Sequence, residues 1–478
     1  MNRAQPVQGA ASPSRNLSLT ILRRRAAALG MTALVAALVS ACASPGPLAL
    51  KLMPAPEAIL KGVLAGAATD QQRVDELPGG GVLYVTDRRP GQGAPGVFYD
   101  SVRGGVLRAG AAQVTVGRSD LTWTEMRREA HLRRKGDDLA LKVGGIEEFG
   151  VLDSESLPPR PADSLSGPAA RRLADAVNAR LAASPEKDVF IFIHGFRVNF
   201  DNPVLVGAEL WHFLGYQGAL IAYSWPATTK VTAYVGDIET AMATARNLRE
   251  LISFIESSTD AERIHVVAHS AGTRLAVRAM EQIALINRHA PAGRPRLGRK
   301  VENVVLLSSD IDLDAFAASV ADGLLGAQRH LVIYGSRKDS ALRASKALTG
   351  HRRLGSAFGE DDLSDRMSRL FRSDRDRISY IDVTGVEGFD SGLGHSYFRS
   401  SPWVSSDLLM KLAYRLGPGE RGLVRDEATG ILAFPPDYIE RMSAIHAARA
   451  RSAGGGGARV RTPDGPQPAA SGRPPAAR

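Results

Sequence analysis

Three short stretches hold the residues best suited to chemistry: a serine, a histidine and an aspartate. Ser270 lies in "AHSAG", where an apolar strand-like run, Ile264 to Ala268, gives way at once to a helical pattern from Thr273 onward. A chain that turns so abruptly pushes the side chain at the joint out beyond the strand's end. Small neighbours are then required because the helix passes close to the strand. Ala268 and Gly272 supply them, two residues to either side. This is the physics of the nucleophile elbow G-x-S-x-G, with alanine replacing the first glycine. The blander alternative is a serine that only caps the helix.

A serine hydroxyl is a poor nucleophile unless a base takes its proton and an acid orients the base. Five histidines follow Ser270: His289, His330, His351, His395 and His446. His330 opens a strand, and His289, His351 and His446 fall in helices or at helix ends. His395 lies in "DSGLGHSYF", a glycine-rich loop after the last strand, from which a ring can reach the serine. The acid has two candidates. Asp339 ends the next-to-last strand, "HLVIYGSRKD", and is preferred; Asp310 ends the preceding one at "LLSSDID", with Asp312 close by. Either aspartate can instead be a simple helix N-cap.

An oxyanion needs donors as well. The backbone N–H of Ala271, at the start of the helix, is one candidate, favoured by the helix dipole. The N–H of Phe196, at the end of "IFIHGF", is the other, with Gly195 permitting close approach of backbone. His194 is read as structural, and Tyr223 and Trp225 in "AYSWP" as pocket walls or core.

Regular alternation of strand and helix must position these groups. "GVLYVTDR" (81–88) and "GVLRAGAAQVTVG" (105–117) read as opening strands. "DVFIFIHGF" (188–196), "ALIAYSWP" (219–226), "RIHVVAHS" (263–270), "NVVLLSSD" (303–310), "HLVIYGSRKD" (330–339) and "RISYIDVTG" (377–385) follow. Between them lie helical patterns such as 239–258. Such alternation predicts a mostly parallel α/β sheet with helices on both faces, its chemistry beyond the strands' carboxyl ends. Continuous apolar runs fit strands covered on both sides.

The net charge of +10 belongs to the termini. Residues 1–41 carry five arginines and no acid, and 448–478 carry six arginines against Asp464 alone, so 42–447 is near neutral. That distribution gives no case for a nucleic-acid-binding domain. "RRR" at 23–25 followed by the 14 uncharged residues Ala26 to Val39 reads as a signal peptide. "VSAC", ending at Cys42, resembles a bacterial lipobox. It implies cleavage behind Ala41, lipidation of Cys42 and a membrane-anchored protein of the bacterial cell envelope, facing the periplasm or exterior. Ala43 after the cysteine resembles outer-membrane sorting. The expected organisation is a signal peptide (1–41), a flexible tether (42–78) with short helical pieces near Glu57 to Leu64, a catalytic domain (79–447) and a disordered tail (448–478). A single cysteine excludes an intramolecular disulfide, and neither a metal-ligand pattern nor a phosphate-cradling glycine loop is present, so no metal or cofactor is expected.

"LYVTDRRP", "FIHGFRVNF", "YSWP", "VVAHSAGTRL", "DIDLDAF", "YGSRKDSALRAS", "RRLG" and "GHSYF", in that order over about Val82 to Leu409, resemble a family of bacterial α/β-hydrolase-fold proteins of unknown function, also described as esterase/lipase-like. The resemblance implies an α/β-hydrolase sheet, with Ser270 as nucleophile, Asp339 as acid and His395 as base. The expected function is hydrolysis of an ester or other small acyl substrate through an acyl-enzyme. Two alternatives stand beside it: a non-catalytic membrane-tethered binding module, and an acyltransferase using the same triad.

Overall fold

The computed structural model describes residues 50–63, 77–93, 97–116, 121–122, 125–126, 139–152, 165–291, 293, 295–356, 365–386 and 394–455. The expected signal peptide, Cys42 and tail residues 456–478 lie outside the described residues. The chain opens with β1 (Leu50–Lys51), the one-turn helix α1 (Glu57–Leu60), β2 (Val82–Pro90), β3 (Tyr99–Val116) and β4 (Ala140–Leu152). Alternation then sets in: α2 (Gly167–Ala182), β5 (Asp188–Ile193), α3 (Asp201–Phe213), β6 (Ala219–Ser224), α4 (Tyr234–Ser258), β7 (Arg263–His269) and α5 (Gly272–Arg288). It continues through β8 (Val301–Leu307), α6 (Leu313–Ala321), β9 (His330–Gly335), α7 (Ser340–Thr349), α8 (Asp365–Ser373) and β10 (Ile378–Asp382). Last come α9 (Tyr397–Ser400), α10 (Pro402–Tyr414), β11 (Val424–Arg425), β12 (Leu432–Ala433) and α11 (Tyr438–Gly455).

Among the described residues the strands form one 12-stranded sheet in the order β1-β4-β3-β2-β6-β5-β7-β8-β9-β10-β12-β11. From β2 through β12 every neighbouring pair is parallel, while β1, β4 and β3 on one flank and β11 on the other pair antiparallel. This is the mostly parallel sheet of an α/β-hydrolase fold.

Side-chain alternation divides the interior into two cores. Leu83, Val85, Ile191, Ile193, Ile221, Val266 and Ala268 join α2, α4 and α5 on one face. Val82, Tyr84, Phe190, Phe192, Leu220 and Val267 join α3 and α10 on the other. All six residues of β5 are buried, which explains its unbroken apolar run. Full burial of such a side chain stabilises by about 1.5–3 kcal/mol. On α5 the buried stripe includes Leu275, Ala276, Ala279, Met280 and Ile283, and it seats the helix directly on the sheet behind Ser270.

The structure departs from expectation at three places. β4 has no clear alternation in its sequence, because register shifts opposite Ala109/Gly110 and Gln113/Val114 break the period and much of the strand stays partly exposed. Residues 50–60, expected within a flexible tether, dock on the domain instead. β1 pairs with β4, the Met53 N–H donates to Glu209 at 2.8 Å, and the Ala58 N–H donates to Ser406 Oγ at 2.9 Å. Met53, Ala55 and Ala58 are buried, so the small residues that suggested a linker serve close packing. At the other end α11 runs to Gly455, eight residues beyond the expected domain boundary at 447.

Candidate active site

β7 ends at His269 and α5 begins at Gly272, leaving Ser270 and Ala271 to make the turn. Ser270 adopts φ +52°, the left-handed region. For a non-glycine residue this costs roughly 1–2 kcal/mol. The surroundings hold it there. The Ser270 N–H donates to the Leu307 carbonyl at 2.9 Å, and the Ser270 carbonyl accepts from the Thr273 N–H at 3.0 Å and Thr273 Oγ1 at 2.6 Å. Gly272 lies so close to the β5 end that a Cβ would fall 2.2 Å from the His194 carbonyl oxygen. A Cβ on Gly195 would fall 2.8 Å from that of Ser270. The backbone of the 195–198 loop therefore passes directly against the serine.

His395 arrives from the segment between β10 and α9. Its Nε2 lies 2.7 Å from Ser270 Oγ, and its Nδ1 lies 2.8 Å from Asp339 Oδ2 and 3.0 Å from Oδ1. Nδ1 carries the proton toward the carboxylate, which leaves Nε2 free to accept from the serine hydroxyl. The Asp339 side chain is fully buried, while that of His395 is 19% exposed. Asp339 also accepts the Leu342 N–H at 3.0 Å and caps α7; the two readings of this residue describe one geometry.

Asp310 is occupied elsewhere. It accepts from Tyr234 Oη at 2.5 Å, Ser345 Oγ at 2.6 Å and Arg274 Nε at 3.3 Å. Asp312 caps α6 through the Ala315 N–H at 2.9 Å. The carboxylate on His395 is that of Asp339.

Of the expected oxyanion donors, Ala271 is buried at the N-terminus of α5 and Phe196 lies in the loop that touches Ser270. The Phe196 ring stands edge-on to Tyr234 with centroids 5.2 Å apart. Tyr223 and Trp225 are both 0% exposed and belong to the core. The Trp225 Nε1–H donates to the His194 carbonyl at 2.8 Å, and the His194 ring stacks on the indole at 5.2 Å. Burial, assisted by nearby Arg88, holds the His194 imidazole well below its ordinary pKa, which suits a structural ring.

Sequence reasoning passed over three residues that hold His395 in place. His269 Nε2 donates to the His395 carbonyl at 2.9 Å, and Ser308 Oγ donates to the same oxygen at 2.8 Å. Tyr397 Oη donates to the Tyr334 carbonyl at 2.6 Å and accepts the Ser308 N–H at 2.7 Å. Burial lowers the His269 pKa to about 3, so that ring is neutral and its donating tautomer is dictated by the carbonyl it faces. Tyr397 stands within the motif "GHSYF"; His269 and Ser308 carried no local signal, because their partner lies over 80 residues away.

A family model described as "Alpha/beta hydrolase of unknown function (DUF900)" matches residues 169–412, a span that contains Ser270, Asp339 and His395. An uncharacterized protein, alr1448, of Nostoc sp. is 29% identical over 152 residues, which is 27% of this chain; the chain spans only 39% of that protein's length. Among solved structures, an inhibited esterase B from Lactobacillus rhamnosis is 13% identical over 56% of this chain and 80% of its own, with a TM-score of 0.26. Esterase 2 of Thermogutta terrifontis, phosphoramylated by tabun, is 12% identical over 48% of this chain and 82% of its own, also at a TM-score of 0.26.

Proposed function

The chain belongs to the family of alpha/beta hydrolases of unknown function (DUF900), and from that premise we propose that it is a serine hydrolase cleaving carboxylic esters through an acyl-enzyme on Ser270. One observation carries the reading: Ser270 Oγ, the His395 ring and the Asp339 carboxylate form an unbroken hydrogen-bonded series, with separations of 2.7 and 2.8 Å.

In the proposed cycle Ser270 Oγ attacks the ester carbonyl carbon while its proton passes to His395 Nε2. Asp339 keeps the imidazole oriented and stabilises the imidazolium. The tetrahedral oxyanion is received by the N–H groups of Ala271 and Phe196. His395 then gives its proton to the departing alkoxide as the carbon–oxygen bond breaks, leaving an acyl-serine and an alcohol. Water enters, loses a proton to Nε2 and attacks the acyl carbon; carboxylic acid leaves and Ser270 regains its hydrogen. An ester suits this sequence better than an amide because an alkoxide departs more readily than an amide anion.

Labelling with a fluorophosphonate probe, followed by chromogenic esters of graded chain length, tests the proposal. Wild type should label once and turn over, whereas Ser270→Ala should not label and should lose kcat by about 10⁴-fold or more. Equal labelling of the two, or none of folded wild type, rejects it.

A further inference from the structure

The motif "LYVTDRRP" places an arginine, Arg88, near the end of β2, and the proposed chemistry makes no use of it. Arg88 is 0% exposed, unusual for a charged side chain. Among the described residues its hydrogen-bond partners are all uncharged. Nε donates to Ser224 Oγ at 2.9 Å, and Nη1 donates to the carbonyls of Asp100 at 3.2 Å and Ala227 at 3.1 Å. Nη2 donates to the Val198 carbonyl at 3.0 Å and lies 3.5 Å from His194 Nε2. One planar fork thus ties together the segments following β5 and β6 and the start of β3.

The segment after β5 is the one that must present the Phe196 N–H. Its conformation is not self-sustaining, because Arg197 sits at φ +64°, a region that disfavours side chains. Arg88 contacts the chain on either side of this residue, donating to the Val198 carbonyl just after it and lying 3.5 Å from His194 Nε2 three residues before. The opposite wall is fixed by Gly195 against Ser270. Strain of this kind persists only where the surroundings over-determine it.

We propose that Arg88 is a positioning residue for the oxyanion loop: its guanidinium, acting through Val198 and His194, sets the Phe196 amide at the distance from Ser270 that the developing oxyanion requires. The assignment rests on the serine-hydrolase reading above. An ammonium cannot replace the fork, since it offers a compact point charge where several diverging donors are needed.

The test is Arg88→Lys in the full chain, with active sites counted by complete fluorophosphonate titration. On a short-chain chromogenic ester kcat per titrated site should fall about 100-fold, the scale of a misplacement of about 1 Å, with KM within about threefold of wild type. A trifluoromethyl ketone, which mimics the tetrahedral adduct, should lose affinity by the same factor. Ser224→Ala removes only the Nε partner and serves if the lysine variant does not fold; its kcat should fall about five- to tenfold, again without a matching change in KM. An unchanged kcat per site in Ser224→Ala, or in a folded Arg88→Lys, overturns the positioning role alone. A wild type inert toward esters and probe overturns the hydrolase reading, and the positioning role with it.

Discussion

Two buried carboxylates flank strand β9, and they have different fates. Asp407, on α10, accepts from Tyr334 Oη of β9 at 2.6 Å and from Arg421 Nη1 at 2.9 Å. Burial pushes its carboxyl up, and the Arg421 guanidinium opposes that shift. Asp339, just past the strand's carboxyl end, faces the His395 ring instead. A guanidinium keeps its charge at every pH the protein meets, so Asp407 is locked in a static pair. An imidazole can take up and release a proton, so Asp339 is wired to a group able to act. The partner, more than the burial, separates a structural carboxylate from one fit for chemistry.

The widest separation should come from neutralising each acid in turn. Asp339→Asn should lower kcat by about 10⁴-fold with little change in stability, because the imidazole loses its orienting partner. Asp407→Asn should leave kcat per active site nearly unchanged but destabilise the fold by about 3 kcal/mol, because Arg421 is left buried without its counter-charge. Urea unfolding together with steady-state kinetics measures both; equal effects of the two substitutions on kcat would dissolve the distinction.

A third buried carboxylate sharpens the comparison. Asp310 lies just past the end of neighbouring strand β8 but spends its oxygens on Tyr234, Ser345 and Arg274. Asp310→Asn should lower kcat by no more than about tenfold, through loosening of the Tyr234 ring behind Phe196. A loss equal to that of Asp339→Asn would return Asp310 to the role of acid.

A further contrast concerns pH and stability. His269 is held at about 3 in the folded chain by burial and by neighbouring His395 and Arg399, against an ordinary value of 6.5. The unfolded chain therefore binds the extra proton first. The stability this neutral ring contributes is complete above about pH 6.5 and drains away as pH falls toward 3. His269→Gln, whose amide can still donate to the His395 carbonyl, should flatten the loss of stability across that window. Parallel unfolding curves for the two proteins between pH 7 and 3 would rule this out.

Much of the scaffold was legible because its causes are local. The strand-to-helix joint at Ser270 shows in the sequence through two small residues at fixed spacing and a change of period within a few positions. The parallel strands show as apolar runs because both of their faces are covered. β4 does not show, since its pairing with β3 is interrupted by bulges that depend on the partner strand. The segment at 50–60 resembled a linker because alanine and proline have the same composition whether free or packed.

What the amino-acid order determined by itself was therefore the fold class, the sharp turn at Ser270 and a short roster of candidate partners. Tertiary structure alone decided which aspartate meets His395. Asp310 and Asp339 both follow the ends of parallel strands, and position along the chain only favoured Asp339; the pairing itself depends on where a loop more than 50 residues further on returns. The same holds for Arg88, whose partners lie as far as 139 residues away. Contacts between distant segments arise only once the sheet has gathered its strands, and the residues that position the site depend on them.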